Sequence, residues 1–124
     1  MNRSKGDLLA DKVIHERVRL LVLTSLASSE EPEMTFKELQ KLLETTAGNL
    51  SVQLRTLEKS GYVAIKKEFI GNKPQTSVSL TSQGRSALES YLSEMELLLK
   101  GMRAKKSKKD SAETKSKGAY DGNP

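Results

Sequence analysis

Leu50, Leu54 and Leu57 fall at i, i+4 and i+7, an apolar stripe along one side of a helix, while Asn49, Ser51, Val52, Arg55, Thr56 and Lys59 project elsewhere. Thr46 supplies an N-cap for that helix, and Gly61, just past the last apolar position, a left-handed C-cap. Upstream, Leu9, Val13, Ile14, Val18, Leu21, Val22 and Leu26 keep a helical spacing that predicts a first helix from Asp7 to about Ala27. The alternative, a strand over residues 18–23, is too short for so long a pattern. Ser28 to Met34, with Pro32 and its glutamates, reads as a loop. Thr35-Phe36-Lys37-Glu38 has the form of a capping box, and Phe36, Leu39, Leu42 and Leu43 give the buried side of a short second helix ending near Glu44.

Only Thr45 and Thr46 then separate the second helix from the leucine-striped one, which is the spacing of a helix-turn-helix. After Gly61 the period changes to two: Val63 and Ile65, then Val78 and Leu80, alternate with Lys66, Ser77 and Ser79 and predict two antiparallel strands. Their connection, residues 70–75, is rich in turn formers and would stand out as a hairpin tip. A last helix follows, capped by Thr81 or Ser82. In it Leu88, Tyr91, Met95, Leu98 and Met102 step by the a/d spacing of a coiled-coil seam, broadened by Leu92 and Leu99. Such a seam either pairs with a second copy or packs on its own domain; it runs well past what a small domain needs to cover, which favours dimerisation. Residues 7–102 are therefore expected to form the domain. Residues 1–6 are a frayed end, and 103–124, rich in Lys, Ser, Gly and Asp, a disordered basic tail.

Charge sharpens this outline. The 124 residues carry a net charge of +5, yet from Gly101 onward seven basic residues face three acidic ones, so most of the excess lies in the tail. Within the domain, residues 30–44 hold five acids against two lysines, whereas residues 45–79 hold five basic residues against two acids. The positive segment contains the leucine-striped helix and the hairpin, which makes an anionic partner worth considering. The absence of cysteine removes disulfides, thiolate metal sites and thiol redox sensing. No apolar run approaches a membrane span and no signal-peptide core is present, so a soluble cytoplasmic protein without membrane contact is expected.

The order helix, helix-turn-helix, two-stranded hairpin, helix resembles the winged helix-turn-helix regulators of the MarR and ArsR type. The residues carrying the resemblance are Leu50-Ser51, Leu54, Leu57-Glu58, Gly61-Tyr62-Val63, Lys73-Pro74-Gln75-Thr76, Leu80-Thr81 and Gly84-Arg85, a set spanning roughly residues 11–99. The resemblance implies a mainly α fold with a small β hairpin: a three-helix core, a two-stranded wing and a long C-terminal dimerisation helix. It also implies that the second helix of the helix-turn-helix enters the major groove of DNA, that the wing lies along the phosphate backbone or minor groove, and that terminal helices form a homodimer. One departure matters. Metal-sensing relatives use cysteine or clustered histidine, and this chain has no Cys and only His15, so neither a metal switch nor a cofactor is expected.

On such a helix Asn49, Gln53 and Arg55 have base-reading capacity, since Asn and Gln make paired contacts to adenine and Arg to guanine. Ser51 and Thr56 suit phosphate and Val52 a thymine methyl, and Thr46 and Lys59 complete the candidate DNA-binding positions of the helix; the bland alternative is a solvated face. Lys66, Lys67, Asn72, Lys73 and Gln75 are the wing candidates for phosphate contact, or a solubilising edge. Arg17 and Arg19 flank the first helix, where phosphate contact and a surface ion pair are comparable readings, and His15 reads as a half-buried structural histidine. No phosphate loop, nucleophile elbow or metal triad supports an enzyme. The expectation is a homodimeric double-stranded DNA-binding regulator, by family analogy a repressor, with recognition helices in major grooves about 34 Å apart. The alternative is a winged helix that binds protein or RNA, against which stands an aromatic content of 4%, too low for many base-stacking platforms. The sequence names no effector.

Overall fold

A computed structural model describes residues 9–116, with side chains as far as residue 106. The expected frayed end at 1–6 and the last eight residues of the expected tail lie outside that range. The elements run α1 (Arg17–Ser28), β1 (Glu33–Thr35), α2 (Phe36–Leu43), α3 (Ala47–Lys59), β2 (Val63–Ile70), β3 (Lys73–Leu80) and α4 (Ser82–Ser116). The chain divides into two units, one ending at Leu92 and the other beginning at Ser93.

The first unit is a winged helix. Its core joins Val18, Val22, Leu23 and Leu26 of α1, Leu39 and Leu43 of α2, and Leu50, Leu54 and Leu57 of α3 to Val63, Val78, Leu88 and Tyr91. Full burial of one such side chain is worth about 1.5–3 kcal/mol, so the three leucines of α3 outweigh its caps in fixing where the helix sits. The caps decide where it begins and ends. Thr46 Oγ1 accepts the amide of Asn49 at 3.1 Å. At the other end Gly61 (φ +80°) turns the chain while its N–H donates to the Glu58 carbonyl and that of Tyr62 to the Leu57 carbonyl, a Schellman closure.

The capping box of α2 forms as expected: Glu38 N–H donates to Thr35 Oγ1 at 3.1 Å and Thr35 N–H to Glu38 Oε1 at 2.9 Å. The backbone N–H of Thr35, then its side chain, holds the Glu38 carboxyl below the usual carboxylate range. Leu39 and Leu43 are buried, but Leu42, expected beside them, is 58% exposed. On an eight-residue helix the i, i+4 pair takes the centre of the buried face and leaves Leu42 on its flank.

Three expectations are corrected. The first helix begins at Arg17 rather than Asp7, because local acceptors compete with the helix ladder. Asp11 Oδ1 takes the amides of Val13 and Ile14, and Glu16 caps the helix through the amide of Arg19. Ile14 is nevertheless fully buried, so the apolar spacing marked core positions and not a continuous helix. Second, the sheet has three strands, not two: β1 pairs antiparallel with β3, from Glu33↔Ser79 to Thr35↔Ser77, giving the order β1-β3-β2. Third, α4 continues through residues 103–116, assigned above to a disordered tail. A low apolar content removes any core to pack on, but Lys, Arg, Ala and Glu are strong helix formers in their own right.

Candidate nucleic-acid interface

The face of α3 turned away from the core is built from the polar positions of its sequence. Thr46, Asn49, Ser51, Arg55 and Lys59 are exposed, Val52 is 51% exposed, and Gln53 and Thr56 are half-buried. These side chains are not equally available. Thr46 is occupied by the N-cap, and Thr56 Oγ1 donates back to the Val52 carbonyl at 3.3 Å. Arg55 reaches solvent.

Asn49 and Gln53, one turn apart, are joined: Gln53 Nε2 donates to Asn49 Oδ1 at 3.1 Å, and Asn49 Nδ2 donates to Thr45 Oγ1 at 3.0 Å. At the far end of this string Arg19 Nη1 donates to Gln53 Oε1. Arg19 is therefore turned onto the polar face of α3, where its partner is the Gln53 amide and, among the described residues, no carboxylate. His15 is exposed rather than half-buried, and its Nδ1 lies 2.6 Å from the Tyr91 hydroxyl.

The wing is the hairpin β2–β3. Ile70 pairs with Lys73, so the turn is only Gly71 and Asn72, and positive φ at Gly71 alone is the type II′ pattern that matches strand twist. Pro74 lies opposite Phe69, one position from the closing pair, where antiparallel alternation points its missing N–H away from β2. β1 stops short of this level, so no ladder bond is lost.

Alternation also sorts the wing lysines. Lys66 shares a face with Glu33 and Glu68 and forms ion pairs to them at 3.3 and 3.9 Å. Lys67 projects from the opposite face. There it joins Ser51, Arg55, Glu58, Ile65 and Thr76 around a groove of about 460 Å³ between α3 and the wing. Lys73, Asn72 and Phe69 are exposed toward the tip and Gln75 is half-buried. The site residues sequence reasoning missed are Glu58, an acid inside this groove, Phe69, 73% exposed, and Ile70, 55% exposed. Phe69 and Ile70 are neighbours at the strand end and so break the period of two, and Ile70 falls within the turn-forming stretch of the sequence, although it closes the hairpin as part of β2.

The seam residues divide. Leu88 and Tyr91 are 3% exposed and belong to the core of the first unit, while Leu92, Leu98, Leu99 and Met102 are 37–67% exposed and Met95 is intermediate. Leu97, not expected in the seam, is 63% exposed. Among the described residues no helix is long and apolar enough to cross a membrane.

A helix-turn-helix whose second helix shows a polar face beside a β wing defines a winged-helix domain. The chain belongs to the winged helix DNA-binding domain family, whose model matches residues 18–99. It is 34% identical over 91 residues to the uncharacterized protein MJ0432 of Methanocaldococcus jannaschii, an alignment covering 73% of this chain and 97% of that protein. Among solved structures it is similar to a transcriptional regulator homologue from Pyrococcus horikoshii OT3, with TM-score 0.70 and 28% identity over 78% of this chain and 94% of that one. It is also similar to a regulator of the MarR family from Enterococcus faecalis V583, with TM-score 0.65 and 26% identity over 87% and 96% of the two chains. The chain is thus a MarR-like winged-helix transcriptional regulator and not an enzyme.

Proposed function

We propose that the protein binds double-stranded DNA as a homodimer, with α3 in the major groove, and represses transcription by occluding a promoter. The observation that carries this reading is the groove between α3 and the wing, lined by Arg55 from the helix and Lys67 from the strand together with Ser51 and Thr76, two cations against the single acid Glu58. Cations and hydroxyls lining one groove suit a phosphodiester strand. Arg55 can also reach a guanine edge, and Val52 a thymine methyl. Asn49 and Gln53 supply amide donors and acceptors; Thr46 and Lys59 lie at the two ends of the helix, and Lys73, Asn72 and Gln75 extend the contact along the wing.

Lys66 is better placed as a structural cation than as a phosphate ligand, since two carboxylates already face it. The exposed Leu92, Leu98, Leu99 and Met102 support pairing of two α4 helices, with Met95 at the edge of the seam. The alternative of a protein- or RNA-binding module gains no observation of its own.

Fluorescence anisotropy with a pool of duplex fragments across a salt series tests the DNA reading: affinity should fall steeply with salt, and Arg55→Ala should weaken a selected site more than random duplex. No binding even at low salt overturns it. For the dimer, Leu98→Asp combined with Met102→Asp should yield a monomer by analytical ultracentrifugation; an unchanged dimer would place the interface elsewhere.

A further inference from the structure

We infer that Arg19, on the helix that precedes the helix-turn-helix, is a specificity-determining positioning residue: it sets which way the Asn49 and Gln53 amides point, without touching DNA. The inference rests on the DNA reading proposed above.

Arginine has donors only, so the Gln53 atom beside its guanidinium has to be the carbonyl Oε1. That choice propagates. Gln53 must present Nε2 to Asn49, Asn49 must answer with Oδ1, and its Nδ2 is left to donate to the Thr45 hydroxyl. The string therefore has one polarity, dictated from its Arg19 end. Thr45 cannot dictate it, because a hydroxyl both gives and accepts.

Arg19 is itself held. Its Nε donates to the Val13 carbonyl at 2.6 Å and its Nη2 to the Lys12 carbonyl at 3.4 Å. The turn bearing those carbonyls is fastened by Asp11, whose Oδ2 accepts the Tyr62 hydroxyl at 2.7 Å, and by the His15–Tyr91 contact. The guanidinium is thus a fixed donor fork rather than a mobile surface cation.

The consequence for recognition is chemical. Adenine offers an acceptor and a donor in the major groove, guanine two acceptors, so the order in which a side-chain amide presents its O and N decides what it reads. With Arg19 in place one order is favoured by roughly ten- to a hundred-fold, the range expected for a hydrogen bond to a charged donor. Without it the string can run in either direction, since Gln53, Asn49 and the Thr45 hydroxyl can each exchange donor for acceptor, and the helix loses discrimination while keeping its cations.

The test uses the full chain and a site selected by the unaltered protein, compared with purine-swapped versions of that site and with random duplex. Arg19→Met should lower the preference for the selected site about ten-fold while leaving random-duplex affinity and the salt slope unchanged. Side-chain amide signals of Asn49 and Gln53 should lose their dispersion in the nitrogen-edited NMR spectrum. Arg19→Gln keeps a hydrogen-bonding partner beside Gln53 but offers both a donor and an acceptor, so it no longer fixes the direction of the string. It should also lose discrimination, and it carries the test if Arg19→Met does not fold.

Undiminished preference in the folded variants overturns the inference, as does a parallel loss of selected-site and random affinity with a shallower salt slope, which would make Arg19 a phosphate contact. If the unaltered protein binds no duplex, the DNA reading falls and this role with it; if it selects a site and the variants select it equally well, only the role of Arg19 falls.

Discussion

The carbonyl oxygen of Tyr62 faces Gly84 so closely that a β-carbon built on Gly84 would lie 2.1 Å from it. This contact fastens the start of α4 to the turn that ends α3. Thr81 completes the joint: its hydroxyl donates to the Gly61 carbonyl at 2.6 Å and accepts the Gly84 amide at 2.9 Å, while its N–H donates to the Tyr62 carbonyl at 3.1 Å. Gly84→Ala must push two backbones apart and should cost about 3 kcal/mol. Thr81→Val, nearly equal in size, should cost about 1–2 kcal/mol through the lost cap and hydrogen bond. Urea denaturation of both variants checks this order; an alanine at 84 as stable as glycine would contradict the geometry.

Glu44, at the end of α2, holds a left-handed conformation with φ +50° and ψ +47°. A residue with a side chain pays about 1–2 kcal/mol for that conformation, partly offset in Glu44→Gly by the greater freedom of the unfolded glycine. The variant should melt a few degrees higher. A fall in melting temperature would mean that the Glu44 side chain makes a compensating contribution.

Acid should loosen α2. The Glu38 carboxyl titrates below its ordinary value, so its contribution to stability is complete above the unfolded value near 4.5 and is lost as pH falls through the lowered folded value. Glu38→Gln keeps an acceptor for the Thr35 amide but has no proton to gain. Its stability profile should therefore be flatter than that of the parent below pH 4.5, measured by thermal melts from pH 6 to pH 3.

Gly48, in the first turn of α3, has open space where a β-carbon would sit. Among the described residues nothing requires glycine there, and Gly48→Ala should stabilise the fold by about 0.5–1 kcal/mol. On the DNA reading the same methyl group would stand between the helix N-terminus and an approaching phosphate. Stability and affinity are thus expected to move in opposite directions, read by melting and anisotropy on one sample. A gain in stability with undiminished affinity would remove the phosphate from that end of the helix.

The helix-turn-helix was legible because its determinants are local. Thr35 with Glu38, Thr46, and Gly61 after Leu57 each act within a few positions, and packing reinforces the same boundaries. The features that escaped are non-local. β1 is three residues long, too short for a periodic signal, and exists because β3 lies beside it. Arg19 and Gln53 are 34 positions apart, and no spacing rule joins them. The ion pair of Lys66 with Glu33 likewise depends on the strand order, so Lys66 and Lys67 looked equivalent in sequence and are not in the fold. Leu88 and Tyr91 continue the heptad of the residues after them, and only burial shows that they belong to the core.

The shortness of β1 also grades the sheet from base to tip. Three strands meet only at residues 77–79; beyond them the hairpin is a two-stranded ribbon, marginal on its own. Amide hydrogen exchange at Val78 and Ser79 should follow global unfolding, while Glu68 and Gln75 should exchange orders of magnitude sooner through local opening. On the DNA reading the protein would then carry α3 on a stiff cooperative unit and its outer wing cations on a compliant arm, able to follow the backbone of a duplex whose groove width varies without disturbing the register of the helix.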